Sequence, residues 1–303
     1  MNRFTGIIVA VVGVLIAVLS FLKFIPLVST GVSLILLGLL VFGLSFVPKP
    51  ATEDTPRMST SETLGAIFYA PTEVFRNLRR HPRWLVVLLI SAILSAVYIN
   101  AFYIRLTPER IANFTVDKIA QSGFVPPEAV AKVREQTLET ATNPISRAGQ
   151  SVNSFVGLVF ITAFVGLIFW LFGMVMGGNI NYWQAFSATA YTIFPVSVIT
   201  YILSLVILFI KDPDQIHPLI GQNSLVQDNL SFLVSSATNP VIFSLLSALS
   251  ILGFYRLWLN AVGLQNAGER ITPTIAWSAA ITVWIAGLLL AVIMAMLFGN
   301  FLS

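Results

Sequence analysis

The sequence predicts an all-α protein, a polytopic transmembrane helix bundle of about seven spans, on three observations. Hydrophobic residues make up 56% of the 303-residue chain and charged residues only 10%, whereas a soluble domain carries about 25% charged residues to face water. Seven apolar stretches approach the roughly 20 residues that a helix needs to cross hydrocarbon. None of the seven holds an acidic residue. Such a surface suits lipid.

The spans are expected near 5–22, 27–47, 84–104, 152–176, 185–210, 240–260 and 273–298. The first follows Met1-Asn2-Arg3, as a signal peptide would, but its apolar run from Gly6 to Leu22 is long and no A-x-A-like cleavage site follows. Lys23-Phe24-Ile25-Pro26 then leads into the second span, with Pro26 suited to that helix's first turn. A retained hairpin over 1–47 is the reading. Gly13-x-x-x-Ala17 and Ser91-x-x-x-Ser95 fit the small-residue pattern of close helix packing.

Residues 48–63 form a polar linker with Pro48, Pro50 and Pro56. Beyond it, Leu64, Ile67, Phe68, Val74, Phe75 and Leu78 recur every three to four residues, opposite Glu73, Arg76, Asn77 and Arg79. Pro71 should break the segment in two. An apolar stripe opposed by arginines just before a span predicts an amphipathic helix in the headgroup layer. Region 48–83 is therefore a cytoplasmic linker with an interfacial helix, and 84–303 a five-span domain. Its polar loop, 105–150, reads as a helical hairpin on the membrane surface, opened by Thr107-Pro108-Glu109, with Gly123 as a stop, Pro127-Glu128 as the second start and Asn143-Pro144 as its end.

Arg76, Arg79, Arg80 and Arg83 crowd the start of the third span, which places 48–83 and the N-terminus inside and the C-terminus outside. Six basic and five acidic residues share the long loop 105–150, where charge constrains topology less. Net charge is +4, without the dense basic tract that nucleic acid would require. The chain has no cysteine, and its two histidines, His81 and His217, lie in different loops. Neither a thiolate nor a histidine metal site is expected.

No catalytic motif occurs, so the reading is not an enzyme, with no catalytic, cofactor-binding or metal residue and no cofactor. A lipid-processing enzyme would need an acid–base pair, which Glu109 or Asp228 alone do not make. Three groups of residues are candidates for other roles. Arg76, Arg79, Arg80 and Arg83 could contact anionic lipid or a cytoplasmic partner. Asn100, Thr189, Thr192 and Asn260 could line a polar path, although such groups more often bond across helices or to their own backbone. Arg256, with Trp258, is read as an interfacial anchor near the cytoplasmic end of the sixth span, on the expectation that this span starts at Pro240. Gly177-Gly178-Asn179 should end the fourth span and Pro195 should kink the fifth. Asn113-Phe114-Thr115 and Asn229-Leu230-Ser231 match the glycosylation sequon.

Several stretches in order resemble the Yip-domain family. They are Ala70-Pro71-Thr72-Glu73-Val74-Phe75-Arg76-Asn77-Leu78 with His81-Pro82-Arg83-Trp84, then Gly177-Gly178-Asn179-Ile180-Asn181-Tyr182-Trp183-Gln184-Ala185-Phe186. Tyr191-Thr192-Ile193-Phe194-Pro195 and Leu257-Trp258-Leu259 through Val262-Gly263-Leu264 follow, and Leu106-Thr107-Pro108-Glu109-Arg110 is similar to prokaryotic members. The resemblance implies a cytosolic N-terminus, five helices and a C-terminus on the far side. Family members were first known as partners of Rab-type GTPases. The Asp-Leu-Tyr-Gly segment of eukaryotic members is absent and a hairpin precedes the domain, so a prokaryotic-type member in a cytoplasmic membrane is implied and Rab binding is not carried over. The expected function is a non-enzymatic membrane-organising or partner-binding scaffold, with membrane lipids and a membrane or cytoplasmic protein as partners. A channel or small-solute transporter with an uncharged polar path is the alternative.

Overall fold

A computed structural model describes residues 3–50, 56–122, 126–235 and 238–298, and these residues are mainly helical, with a longer connection of 3₁₀ turns after Ile210. The helices are α1 (Arg3–Phe21), α2 (Val28–Leu44), α3 (Thr60–Ala66), α4 (Pro71–Arg80), α5 (Leu85–Leu106) and α6 (Pro108–Ser122). They continue with α7 (Pro127–Thr142), α8 (Pro144–Val175), α9 (Tyr182–Ile210), α10 (Pro240–Ala248), α11 (Ile251–Ala267) and α12 (Pro273–Phe298). Five of them, α1, α5, α8, α9 and α12, are long and apolar enough to cross a bilayer. Lipid-facing side chains such as Phe4, Ile93, Phe164, Phe209 and Leu290 stay exposed, as hydrocarbon permits. The chain is a multi-pass integral membrane protein. The expectation of seven spans further requires α2 and α11, each of 17 residues, or about 25 Å at 1.5 Å per residue.

The chain divides into two compact units, Met1–Ile93 with Pro144–Pro195 and Asn260–Ala279, and Leu94–Asn143 with Val196–Leu259 and Ala280–Ser303. In the first unit, α1 and α2 pack against each other as a helical hairpin. Their backbones approach through Gly6, Gly13, Gly31 and Gly38, spaced so that small residues meet along one seam. A Cβ on Gly31 would lie 2.6 Å from the Ala17 nitrogen, and one on Gly13 2.6 Å from that of Ile35. Pro26 stands in the turn, not in the first turn of α2, which starts at Val28. There the Leu27 N–H donates to Ser20 Oγ at 3.1 Å. The start of α8 packs on α2, where Asn153 Nδ2 donates to Ser29 Oγ at 3.2 Å.

Three boundaries differ from expectation. The first amphipathic piece starts at Thr60, because Ser59 and Glu62 form a reciprocal capping box at 3.1 Å each way. The fourth span starts at Pro144, since proline in a first helical turn costs nothing and no loop residue intervenes after Thr142–Asn143. The sixth, expected as one helix over 240–260, is broken at Leu249–Ser250 into α10 and α11. Asp228 causes that break. Its Oδ2 accepts from Ser250 Oγ at 2.6 Å and from the Leu252 N–H at 2.7 Å, and so caps a new helix start. Gly177 does end α8 as expected, at φ +81°, with the Gly178 N–H bonded to the Gly173 carbonyl at 2.8 Å. Pro195 lies inside α9. Gly123 lies outside the described residues.

The second unit holds the α6–α7 pair. Ile111, Ala112 and Ala141 are buried with Tyr98, Phe102 and Leu106 of α5, Leu208 of α9 and Ile216 of the following loop. The expected membrane-surface hairpin therefore has a protein core beneath it. Arg110 also reaches that loop, pairing with Asp214 at 2.8 Å, and the Tyr98 hydroxyl donates to the Gly221 carbonyl.

Candidate functional site: a basic cleft beside the α8–α9 turn

The amphipathic segment behaves as its pattern requires, with one correction. Ile67, Val74, Phe75 and Leu78 are each 0% exposed, and the Phe75 ring lies against Gly263 of α11. The stripe expected in the headgroup layer is thus largely buried against protein. Phe68, which meets the Phe194 ring at 6.0 Å, is its exposed exception. Apolar area removed from water is stabilising whichever apolar surface covers it, and the first unit supplies that surface.

The turn between α8 and α9 holds this segment down. Asn179 and Glu269 exchange backbone hydrogen bonds of 2.7 and 2.6 Å, which joins the turn to the α11–α12 connection. Gln184, near the start of α9, accepts from the Asn181 N–H through Oε1 and donates from Nε2 to the Arg79 carbonyl, both at 2.7 Å. It satisfies one of the carbonyls that the end of α4 leaves open. Trp183 Nε1 donates to the Val47 carbonyl at 3.1 Å, and Asn181 Nδ2 to that of Pro48 at 2.9 Å. The Trp84 ring packs on Phe186 at 5.0 Å. Gly-Gly-Asn-Ile-Asn-Tyr-Trp-Gln is therefore a clamp that ties the end of α2, the linker and α4 together.

With its apolar face buried, α4 turns its polar face to an open cleft of about 510 Å³. Glu73, Arg76, Asn77, Arg79 and Arg80 line it from α4, Pro56 and Met58 from the linker, and Gln265 and Asn266 from α11. Arg76 Nε donates to Asn266 Oδ1 at 3.3 Å. Arg79 is ion-paired with Glu269, and this pairing, with a bond from Asn179 Nδ2 at 3.2 Å, holds the Glu269 carboxyl below the usual carboxylate range. Arg83 is not part of the cleft lining but bonds to two residues that are, donating to the Met58 carbonyl at 2.8 Å and weakly to Asn77 Oδ1 at 3.4 Å. Of the four arginines singled out from sequence, three meet in the cleft and Arg83 fastens the linker. Gln265 and Asn266 of the cleft, and Glu269 of the α11–α12 connection that pairs with Arg79, were missed. They are distant in sequence, and only the tertiary packing brings them to α4.

The four polar residues proposed for a path are hydrogen-bonded within or between helices. Thr189 donates to the Ala185 carbonyl at 2.9 Å, and Thr192 Oγ1 lies 2.8 Å from both the Thr189 carbonyl and Asn260 Oδ1. Both threonines are 1% exposed. Asn100, in the other unit, donates to the Ala96 carbonyl of its own helix at 2.8 Å. Arg256 is the sixth residue of α11, which continues to Ala267. The break at 249–250 thus moves it toward the start of its helix, away from the Gln265 and Asn266 end. Trp258 is 40% exposed and stacks with Tyr255 at 5.9 Å.

No curated protein and no solved structure shows significant similarity to the chain. A family model described as the Yip1 domain matches residues 65–298. That stretch begins within α3 and takes in the α4 and α11 walls of the cleft, the clamp and every helix from α4 to α12. On that match, this protein is a member of the Yip1-domain family.

Proposed function

We propose that the protein is a non-enzymatic membrane scaffold whose basic cleft docks an anionic surface. One observation carries this reading: α4 buries its apolar face in the protein and directs Arg76 and Arg80 outward into an open cleft. A helix held this way cannot insert into its own leaflet, so its exposed charge is directed at whatever approaches from solution. The arginine-rich end faces the cytoplasm by the positive-inside rule, with the N-terminus on the same side and the C-terminus outside, in a prokaryotic cytoplasmic membrane. The buried, bonded states of Thr189 and Thr192 favour packing over a solute path.

Proteoliposomes of neutral lipid carrying the full chain should capture fluorescent vesicles rich in phosphatidylglycerol, and not vesicles of phosphatidylcholine. Each basic residue near an anionic surface contributes about 1 kcal/mol. The double variant Arg76→Gln/Arg80→Gln should therefore weaken capture by about 30-fold, and added salt should weaken the unaltered protein similarly. Equal capture by the double variant would remove the proposal.

A further inference from the structure

The connection after α9 treats its apolar residues in two ways. In its first part Ile216 is buried and Leu225 packs on the core of the second unit, while Asp214 and Asn223 are exposed. A water-facing loop requires that order. In its second part the order is reversed. The 3₁₀ turn over Leu230–Leu233 leaves Leu230, Phe232 and Leu233 exposed, the last two at 66 and 63%. It packs against α10, in which no residue is buried and Ile242 and Leu245 are exposed about one helical turn apart. No charged residue lies between Asp228 and Arg256. A contiguous apolar surface of this kind is unfavourable in water and marks a contact with lipid or protein.

The two ends of this second part meet at one point. Asn229 and Ser250 form a backbone bridge, and the Ile251 N–H donates to the Asp228 carbonyl at 3.1 Å. The Asp228 carboxylate meanwhile holds Ser250 Oγ and the Leu252 N–H. The chain therefore leaves at Asn229 and returns beside it at Ser250, before α11 begins. A carboxylate is costly in hydrocarbon, which puts this closing point at a membrane edge. The nine residues of α10 extend about 14 Å at 1.5 Å per residue, against a hydrocarbon core of about 30 Å. Too short to cross, α10 stays on the side of the membrane from which it started.

The polar groups select the covering medium. Ser247 Oγ donates to the Phe243 carbonyl at 2.8 Å, Thr238 Oγ1 to the Ser235 carbonyl at 3.3 Å, and the Ser231 N–H to Asn229 Oδ1 at 3.0 Å. Bonding within one's own segment is what hydrocarbon demands of a polar group, whereas a protein partner is met by a polar rim. The exposed apolar positions also run on through Leu249 to Ile251 and Phe254 of α11, which joins this surface to the lipid-facing surface of the helices. We infer that Leu230, Phe232 and Leu233, with Ile242 and Leu245 of α10, insert into the acyl layer of the leaflet in which α9 ends. The second part of the connection is thus embedded in lipid, and only its first part is an aqueous loop.

The absence of cysteine allows single-site labelling of the full chain in proteoliposomes, with an environment-sensitive fluorophore as the probe. The label at Phe232→Cys should be quenched by phosphatidylcholine carrying a nitroxide on its acyl chain, as strongly as a label at Val206→Cys on the exposed flank of α9. With iodide on both sides of the membrane, it should lose most of the quenching seen at Asn223→Cys, an exposed site in the first part of the connection. Ile242→Cys gives the same readout if Phe232→Cys does not fold. Iodide quenching at either folded variant equal to that at Asn223→Cys would place the surface in water and overturn the inference. Protection from both quenchers would also overturn it, by assigning the surface to a protein contact. That contact would be with a second copy of the chain if the protection declined as lipid was added.

Discussion

Replacing Gly31 by alanine tests whether the α1–α2 hairpin is held by close backbone approach. The new Cβ would lie 2.6 Å from the Ala17 nitrogen and 2.9 Å from its Cα, where ordinary contact begins at 3.4 Å. The helices must separate by about 0.8 Å at this point, and backbone atoms cannot rotate aside as a side-chain tip can. Overpacking of this kind costs about 1–3 kcal/mol. Alanine also favours the helix over glycine by up to about 1 kcal/mol, so the net loss should be up to about 2 kcal/mol. Gly43 supplies the control on the same helix, since its Cβ would meet nothing within 4 Å. Gly43→Ala should be neutral or stabilising by up to about 1 kcal/mol. The chain lacks cysteine, so Ile8→Cys and Leu39→Cys, both exposed, can carry a fluorophore pair that reports hairpin opening during a dodecyl sulfate titration in mixed micelles. Equal midpoints for Gly31→Ala and Gly43→Ala would refute the close-approach account.

Two further outcomes concern the second unit. The His217 Nδ1 accepts from the Leu219 and Ile220 N–H groups at 3.2 Å each, and its ring meets Phe114 edge-on at 5.0 Å. Burial first, and then Lys118, push its pKa below the usual 6.5. The folded state thus holds the proton less firmly than the unfolded state. The stabilising contribution is complete above pH 6.5 and is lost as pH falls through the lowered value. Hydrogen exchange of the Leu219 and Ile220 amides should accelerate relative to the rest of the chain between pH 7 and 5, and His217→Asn should flatten that dependence. Asp228→Ala removes the cap of α11 and should destabilise that helix start by about 1 kcal/mol. Faster exchange at the Leu252 amide, with that of Asn260 unchanged, is the expected signature.

The sequence by itself determined the solvent, the helical class and most helix stops, because these depend on composition and local chemistry. Too few charges to cover a globule, the glycine pair after Val175 and the prolines at helix starts act without reference to distant residues. The Ser59–Glu62 capping box was equally readable, from its S-x-x-E spacing. Where the apolar stripe of α4 goes was not. An identical pattern serves a helix on lipid and one on protein, since the hydrophobic effect does not distinguish between apolar covers. Only the packed first unit decided for protein, and so turned the arginines from a leaflet anchor into the wall of a cleft. The break before α11 is of the same kind. Residues 240–260 satisfy every local rule for one helix, and a carboxylate more than twenty positions upstream of Leu252 interrupts it. Backbone N–H groups accept the best partner in space, wherever it lies in the chain.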